Sequence, residues 1–429
     1  MRILVVGNGG REHALAWKIK QSPLVTEVYC APGNPGMAEL ADCVPIDTSN
    51  IVEVADFAQT IKADLTVVGP ELPMVLGIAD EFARRGLLIF SPSRAAAEIE
   101  GSKAFAREFM TRHKIPSPGY RICQSAEEAL AAVGKPPFGF PMVIKADGLA
   151  SGKGTIVAQD KVEAKAAVDL MMTDKKFGSA GNRIILEEFL AGEEISFLVL
   201  SDGARVVPLM SAQDHKRVRD GDEGPNTGGM GAVSPATNMT VDAHKQIMHE
   251  SVLPSIAGMA AEGRRYQGTL YVGLMMTDKG PKVLEFNARF GDPETQAILV
   301  RMKSDIVPIL SGVAQGQLGD MKIEWAKEPS ACVVIAARGY PEAPETGHAI
   351  SGLDALKDIP DVVAFHAGTA KKDGGTVTAG GRVLGVTALG ANLEAAIQRA
   401  YEAVAKVSFD GMHYRQDIGK KALARLQAR

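Results

Sequence analysis

The sequence predicts a multidomain protein that combines an α/β unit at its N-terminus with α+β units in the remainder. Over the first hundred residues, short apolar runs alternate with segments of helical character, which is the pattern of a parallel sheet. Farther along, apolar runs are paired and bounded by glycine, which indicates hairpins. A chain of 429 residues has room for roughly two to four domains.

Composition excludes several classes of protein. A formal net charge of −4 gives no general electrostatic reason to bind nucleic acid or an anionic membrane. No apolar run approaches the length of a membrane span, and the N-terminus enters a strand without a leader pattern. The four cysteines are widely spaced, which argues against a zinc site or a disulfide framework and favours the reducing cytoplasm. They are Cys30, Cys43, Cys123 and Cys332.

The first unit begins with a buried strand over 2–6, a glycine turn over 7–10 and a helix towards residue 21. A dinucleotide fingerprint would need a third glycine where Glu12 stands, and an acidic residue after the second strand, so NAD binding is the weaker interpretation. A helix N-terminus with glycines still attracts phosphate, and Arg11 is suited to clamp it. A turn needed only for packing is the alternative. Because parallel strands end at one edge, we expect the turns after the first strands to gather there.

The stretch 140–157 is the most informative in the chain. A short apolar run ends in Lys145, and a loop with Gly148, Gly152 and Gly154 around Lys153 follows before the strand pattern resumes. Glycines let backbone N–H groups approach an anion, and lysine adds charge, so the stretch predicts a mobile cover over a nucleotide triphosphate. The spacing does not match a P-loop, which would also be followed by a helix. An ordinary hairpin with a solvated lysine is the alternative.

Further polar side chains flank predicted strands. Residues 183–200 indicate two strands with an acidic link, where backbone groups and a carboxylate suit an adenine edge and a ribose, although solvated loop acids are the simpler interpretation. Residues 213–231 form a long charged and glycine-rich stretch, predicted to be a functional or a solvated loop. In the strand 283–287, Glu285 and Asn287 alternate with the core-facing Leu284 and Phe286. Carboxylate and amide oxygens on one face suit a hard divalent cation, with a salt-bridged strand end as the alternative.

Two more regions complete the pattern. Ser102 is expected to cap a helix that carries Lys103 in its first turn. From about residue 328 the chain is again α+β, with strands near 331–337 and 382–388 and a helix over 392–406.

Taken together, these residues closely resemble the glycinamide ribonucleotide synthetases of the ATP-grasp superfamily. The resemblance covers essentially the whole chain, with small departures at Ser151 and at 72–74. It is carried by the motifs VVGNGGREHALAW (5–17), APGNPG (31–36), VVGPE (67–71), GSKAF (101–105), KADGLASGKG (145–154), QDHKR (213–217), GPNTGGMGA (224–232), EFNARFGDPETQ (285–296), FHAGT (365–369) and GGRVL (380–384).

The resemblance implies an N-terminal Rossmann-like domain over 1–101, an ATP-grasp domain over 102–326 and a small C-terminal α+β domain over 327–429. The lid of the ATP-grasp domain would span about 120–190. The implied reaction joins glycine to 5-phosphoribosylamine through a glycyl phosphate, with ATP as phosphoryl donor. Mg²⁺ is the implied metal, with Mn²⁺ as an alternative cation. The small-molecule substrates are the implied partners, and we expect a cytoplasmic monomer or weak homodimer.

The resemblance also implies individual roles. Arg289, Lys145 and Asp292 would be catalytic, and Glu285 and Asn287 would hold the metal. Glycine and phosphoribosylamine would contact Gly9, Gly10, Arg11, Glu71, Asp214, Lys216, Arg289 and Asp292. ATP would be bound by Lys103, Lys145, Gly148, Ser151, Gly152, Lys153, Gly154, Glu187, Glu188, Leu190 and Glu194.

Overall fold

A computed structural model of the protein describes residues 1–149 and 153–428. The chain begins with a parallel sheet in the order β3-β2-β1-β4-β5. This confirms the predicted parallel sheet. Its strands are β1 (Arg2–Gly7), β2 (Glu27–Pro32), β3 (Asp42–Cys43), β4 (Leu65–Val68) and β5 (Ile89–Phe90). The helices of this region are α1 (Gly10–Lys20), α2 (Ile51–Thr60), α3 (Glu71–Leu76), α4 (Ile78–Arg84) and α5 (Arg94–Gly101).

Both faces of this sheet are buried. Leu4 and Val6 of β1 pack into one apolar cluster, while Ile3 and Val5 pack into another on the opposite face. The turns after β1, β2 and β4 meet at one edge, as expected for a parallel sheet. The side-chain amide of Asn34, in the turn after β2, donates to the carbonyl of Asn8, in the turn after β1, at 2.9 Å.

The next region carries the glycine-rich loop. It consists of α6 (Lys103–Arg112), β6 (Tyr120–Cys123), α7 (Ala126–Gly134), β7 (Met142–Ala146), β8 (Thr155–Ala158), α8 (Lys161–Val168) and β9 (Ile184–Glu188). The strands pair antiparallel in the order β6-β9-β7-β8. Ser102 caps α6 by accepting from the amide of Phe105 at 3.1 Å, as predicted. We call this the lid sheet; it has its own apolar core.

A second antiparallel sheet, the central sheet, faces the lid sheet across the cavity. Its order is β11-β10-β16-β17. The strands of this part of the chain are β10 (Glu193–Asp202), β11 (Val206–Pro208), β12 (Gln213–Asp214), β13 (Arg217–Arg219), β14 (Glu223–Asn226), β15 (Gly231–Ser234), β16 (Gln267–Thr277) and β17 (Gly280–Asn287). The helices are α9 (Val241–Ile247), α10 (Leu253–Ala261), α11 (Glu294–Leu299) and α12 (Ile306–Gln315).

The C-terminal part forms a third antiparallel sheet in the order β12-β15-β18-β22-β19. Its elements are β18 (Ser330–Ala336), α13 (Leu353–Lys357), β19 (Val362–His366), β20 (Thr369–Lys372), β21 (Gly375–Thr378), β22 (Arg382–Leu389), α14 (Leu393–Val404) and α15 (Lys420–Gln427). The predicted strands and helix of this region are confirmed. The sheet also takes in β12 and β15 from before residue 327, and the domain boundaries themselves stay a prediction.

Two sequence expectations are wrong. The stretch 213–231 is not an irregular loop, because it contains β12, the β13–β14 hairpin and the start of β15. In β17 a β-bulge removes Leu284 from the pairing with β16, so this side chain lies on the cavity wall rather than in the core. Val283 and Phe286 are the core residues, and Glu285 and Asn287 line the cavity.

Among the helices of the described chain, none is long and apolar enough to cross a membrane.

Candidate active site

A cavity of about 910 Å³ lies between the lid sheet and the central sheet and extends to the N-terminal turns. Of the predicted site residues that the structure describes, Gly9 and Gly10 alone stand outside its lining; Ser151 and Gly152 lie outside the described residues. The predicted residues that line it are Arg11, Glu71, Lys103, Lys145, Gly148, Lys153, Gly154, Glu187, Glu188, Leu190, Glu194, Asp214, Lys216, Glu285, Asn287, Arg289 and Asp292.

Lys103 and Lys145 approach the cavity from two elements that meet at its floor. Lys103 lies in the first turn of α6, and its ammonium donates to the carbonyl of Gly148 at 2.7 Å. Burial lowers the pKa of Lys103, although Glu285 opposes the shift. Lys145 lies on β7 and is almost fully buried. These two cations, 42 residues apart in sequence, are adjacent because α6 packs beneath the lid sheet.

The base of the glycine-rich loop is tied to α6 by Asp147. One carboxylate oxygen of Asp147 accepts from the hydroxyl of Ser102 and from the amide of Ala104, each at 3.0 Å. The other oxygen accepts from Nε of Arg183 at 2.6 Å. The loop therefore leaves β7 from a fixed point. The sequence does not predict this anchoring role of Asp147, because an acidic residue next to a glycine is common in ordinary turns.

The carboxylate of Glu187 is fully engaged inside the protein. Arg107 binds it with two nitrogens, at 2.6 and 2.7 Å, and Lys145 binds it at 2.9 Å. Burial opposes ionisation of Glu187, but Arg107 and Lys145 lower its pKa. Arg107 was not predicted, since an arginine in an amphipathic helix normally faces solvent.

The link between β9 and β10 lines one end of the cavity. The carboxylate of Glu188 accepts from the amide of Gly119 at 3.1 Å. The side chain of Leu190 is buried, whereas 41% of Phe189 is exposed beside the cavity. This end of the cavity is therefore less polar than the floor beneath the lysines.

Glu285 and Asn287 project from β17 into a cluster of cations. Lys216 lies 3.2 Å from Glu285 and is the main cause that lowers the pKa of Glu285 to about 2, against the effect of burial. The amide oxygen of Asn287 accepts from Arg289 at 3.1 Å. Within residues 1–149 and 153–428, no cage of three or more His, Cys, Asp or Glu ligands is found. A divalent cation here would need oxygen ligands from a bound substrate as well.

Arg289 is held by two carboxylates. Its Nε lies 3.2 Å from Glu100 and 3.4 Å from Glu71. Burial opposes the charge of Arg289, but Glu100 and Glu71 raise its pKa. Burial raises the pKa of Glu100 to about 7. Glu100 also accepts from the amide of Ala288 at 2.6 Å. Sequence reasoning missed Glu100, because its position near a helix end carries no functional signal.

The N-terminal turn already carries a carboxylate. Glu12 reaches back to accept from the amide of Gly9 at 2.7 Å and from Nε of Arg11 at 2.5 Å. Another nitrogen of Arg11 donates to the carbonyl of Phe290 at 3.1 Å. Glu12 stands where the dinucleotide fingerprint has its third glycine, which argues against NAD binding.

Asp292 lies beside the same turn and is paired with Arg382 at 3.3 Å and with the amide of Gln296 at 2.7 Å. Burial opposes ionisation, but Arg382 and Arg11 lower the pKa of Asp292. The structure therefore brings β22 of the C-terminal sheet to the cavity.

Asp214 and Lys216 extend from the segment that begins with β12. Burial raises the pKa of Asp214 well above its usual value, and the nearby Glu294 raises it further. Lys216 lies 2.9 Å from Glu194 and close to Glu285, not beside the N-terminal turn. Burial alone would lower the pKa of Lys216, but these two carboxylates raise it well above its usual value.

The side chains that line this cavity suit the binding of phosphate groups. Buried lysines and arginines face a carboxylate and an amide oxygen across a space that two sheets enclose. Such an array stabilises a transferring phosphoryl group by position and charge.

Family models for phosphoribosylglycinamide synthetase match the chain in three pieces: the N domain over 1–100, the ATP-grasp (A) domain over 101–295 and the C domain over 330–421. A phosphoribosylamine–glycine ligase of Pseudomonas aeruginosa is 50% identical over 428 residues, covering 99% of both chains.

Two solved structures resemble this chain over most of its length. A phosphoribosylamine–glycine ligase of Thermotoga maritima is 35% identical, with a TM-score of 0.84 over 97% of this chain and 100% of that one. The biotin carboxylase domain of Hydrogenobacter thermophilus 2-oxoglutarate carboxylase shares the fold at 18% identity, with a TM-score of 0.73 over 96% of this chain and 91% of that one.

Proposed function

The chain belongs to the phosphoribosylglycinamide synthetase family, and we propose that it ligates glycine to 5-phosphoribosylamine with ATP in purine biosynthesis. The observation that carries the assignment is the position of Lys103, Lys145 and Arg289 around Glu285 and Asn287 in one cavity. This arrangement serves a carboxylate that must be phosphorylated before an amine attacks it.

ATP lies between the lid sheet and the central sheet. Lys103 and Lys145 contact its phosphates, and the link between β9 and β10 supports the adenine. Glu194, whose carboxylate lies 2.9 Å from the ammonium of Lys216, holds the ribose. The loop and link positions that complete the ATP site are Gly148, Ser151, Gly152, Lys153, Gly154, Glu188 and Leu190; of these, Ser151 and Gly152 lie outside the described residues. Glu187 lies behind Lys145 and binds its ammonium.

The donor set fits a hard divalent cation. Glu285 is ionised and draws the ammonium of Lys216 onto its carboxylate, and Asn287 supplies a neutral amide oxygen on the same wall. Glu285 and Asn287 hold Mg²⁺, or Mn²⁺ in its place, which supplies charge neutralisation for the phosphates when bound.

The first step activates glycine. A carboxylate oxygen of glycine attacks the γ-phosphorus of ATP, the new O–P bond forms as the bond to the β–γ bridging oxygen breaks, and ADP leaves. Arg289 stabilises the charge on the transferring group and on the glycyl phosphate. A planar and permanently charged guanidinium, held in place by Glu71 and Glu100, suits this task.

The second step forms the amide. The amine of phosphoribosylamine attacks the acyl carbon, the C–O bond to phosphate breaks, and the nitrogen loses a proton. The substrate phosphate binds beside Gly9, Gly10 and Arg11. Asp214 and Asp292 contact the glycine ammonium or the incoming amine. Phosphorylation is needed because oxide is a poor leaving group and phosphate is a good one.

Release of inorganic phosphate from Mg·ATP tests the assignment when glycine and phosphoribosylamine are omitted in turn. We expect release that depends on both substrates. Release that is independent of glycine would overturn it. Alternative acids and amines, assayed in the same way, separate this ligase from other ATP-grasp ligases and carboxylases.

The described cysteines are all free thiols, in keeping with the reducing cytoplasm. We propose that the protein works there as a monomer or weak homodimer on small molecules, without nucleic acid or membrane. Sedimentation at micromolar concentration distinguishes the two oligomeric states.

A further inference from the structure

A buried ion pair lies directly beneath Lys145. Arg107 and Glu187 face each other with two parallel hydrogen bonds, and both side chains are 2% exposed. The geometry is the bidentate fork that gives arginine–carboxylate pairs their fixed orientation. Burying such a pair is weak evidence for stability, because its desolvation offsets much of its attraction. The pair therefore calls for an explanation beyond stability.

The bulge in β17 completes this cluster. The carbonyl oxygen of Leu284, the residue that the pairing with β16 skips, accepts from Arg107 at 2.7 Å and from Lys145 at 3.1 Å. Arg107 also donates to the carbonyl of Val283 at 3.0 Å. Arg107 thus connects α6 and the lid-sheet strand β9 to β17 of the central sheet. The two sheets that enclose the cavity share this anchor.

The ammonium of Lys145 is held by the same groups. It carries three N–H donors, and two of its partners are the carboxylate of Glu187 at 2.9 Å and the carbonyl of Leu284 at 3.1 Å. Both partners are themselves held by Arg107. One donor of Lys145 is left for a group in the cavity.

We propose that Arg107 and Glu187 are positioning residues that aim Lys145 at the triphosphate, and that Glu187 does not read the adenine. The inference rests on the proposed role of Lys145 in binding ATP. The sequence resemblance implies that Glu187 contacts ATP directly, whereas both of its carboxylate oxygens are already bound by Arg107 and Lys145.

The test compares steady-state kinetics of Glu187→Gln and of the native enzyme with ATP and with inosine triphosphate, which lacks the 6-amino group of adenine. We expect the KM for ATP to rise about tenfold, as suits the loss of a charge-assisted bond, with the KM for glycine unchanged. The preference for ATP over inosine triphosphate should stay the same. A changed preference would mean that Glu187 contacts the base and would overturn the proposal.

Glu262→Gln is the matched control. Glu262 forms a bidentate pair with Arg112 at 2.9 and 3.0 Å. Arg112 lies on α6, as Arg107 does, but this pair is at the protein surface. This variant should keep native kinetic constants.

A double-mutant cycle with Lys145→Met shows whether Glu187 acts through Lys145. If it does, Glu187→Gln has no further effect on the KM for ATP once Lys145 is replaced. Additive effects would overturn the proposal. Should Glu187→Gln fail to fold, Arg107→Lys replaces it in the cycle, since lysine keeps the charge and loses the fork. Its KM for ATP should rise severalfold, and an unchanged value would also overturn the proposal.

The outcomes distinguish the positioning role of Glu187 from the ligase assignment. If Lys145→Met raises the KM for ATP and Glu187→Gln does not, positioning is refuted and the ligase assignment stands. If Lys145→Met itself leaves the KM for ATP unchanged, the proposed ATP contact of Lys145 fails and the positioning role fails with it.

Discussion

The ammonium of Lys216 lies 3.2 Å from Oε1 of Glu285 and so rests on the carboxylate that we assign to the metal. It also lies 2.9 Å from Oε2 of Glu194. A divalent cation bound at Glu285 would therefore compete with Lys216 for this carboxylate. Because the pKa of Glu285 is lowered to about 2, this carboxylate stays ionised at any pH at which the enzyme would be assayed.

Replacing Glu285 with alanine should abolish phosphate release at any attainable Mg²⁺ concentration. The expected loss is at least about a hundredfold, since the charged metal ligand contributes several kcal/mol of charge stabilisation. Phosphate release over a Mg²⁺ titration measures it, with the surface variant Glu262→Ala as control. Full activity in Glu285→Ala would refute the metal assignment.

Arg11→Ala should raise the KM for phosphoribosylamine about tenfold, because a bidentate phosphate contact is lost, and should spare the KM for ATP. Arg11 is 8% exposed and is oriented by Glu12 and the carbonyl of Phe290. The KM of Arg11→Lys for phosphoribosylamine should lie between the values of the native enzyme and of Arg11→Ala, because lysine keeps the charge but lacks the planar guanidinium fork. Equal effects on both substrates would mean that the turn is only structural.

Gly148→Ala should weaken ATP binding. Gly148 has a φ of +130°, and an added Cβ would lie 3.0 Å from the Cβ of Ala180. Strain of this kind costs about 1 to 3 kcal/mol. Since Lys103 binds the carbonyl of Gly148, we expect the KM for ATP to rise more than the KM for glycine.

Gly134→Ala at the end of α7 is the control for this variant, because an added Cβ there meets nothing within 4 Å. Both variants are to be compared by kinetics and by thermal unfolding. A native KM for ATP in Gly148→Ala would show that the loop base tolerates a side chain.

Stability should fall as the pH drops below about 6.5, in part because of His13. Burial, and then the proximity of His366, lower the pKa of His13 from 6.5 to about 3. The unfolded chain therefore binds a proton below pH 6.5 that the folded chain excludes, so the free energy of unfolding decreases as pH falls. By pH 5 the loss from this group is about 2 kcal/mol.

His13→Asn should flatten that dependence. Asparagine keeps an acceptor for the amide of His366, which donates to Nδ1 of His13 at 2.8 Å, but it does not titrate. Urea unfolding at pH 7.5, 6 and 5 measures both proteins. Parallel pH profiles would show that His13 is not the source of the slope.

The pattern of apolar residues was sufficient to predict the helices and strands that bury one face or both. The continuous apolar run of β1, followed by further apolar runs that alternate with helical segments, predicted the parallel sheet, and Ser102 predicted the start of α6. The pairing of Glu285 with Asn287 on one wall was likewise visible in the order of residues. These features depend on neighbours in the chain, so local patterns carry them.

The sequence by itself therefore determined the fold class, the family and many of the residues that line the cavity. Only the tertiary structure decided their partners. The bulge that turns Leu284 towards the cavity depends on the register with β16, and register is not written in one strand. The buried contacts of Arg107 with Glu187 and of Glu100 with Arg289 join residues 80 and 189 positions apart. Such pairs arise when sheets close around a cavity, because buried charges must then find partners wherever the fold brings them.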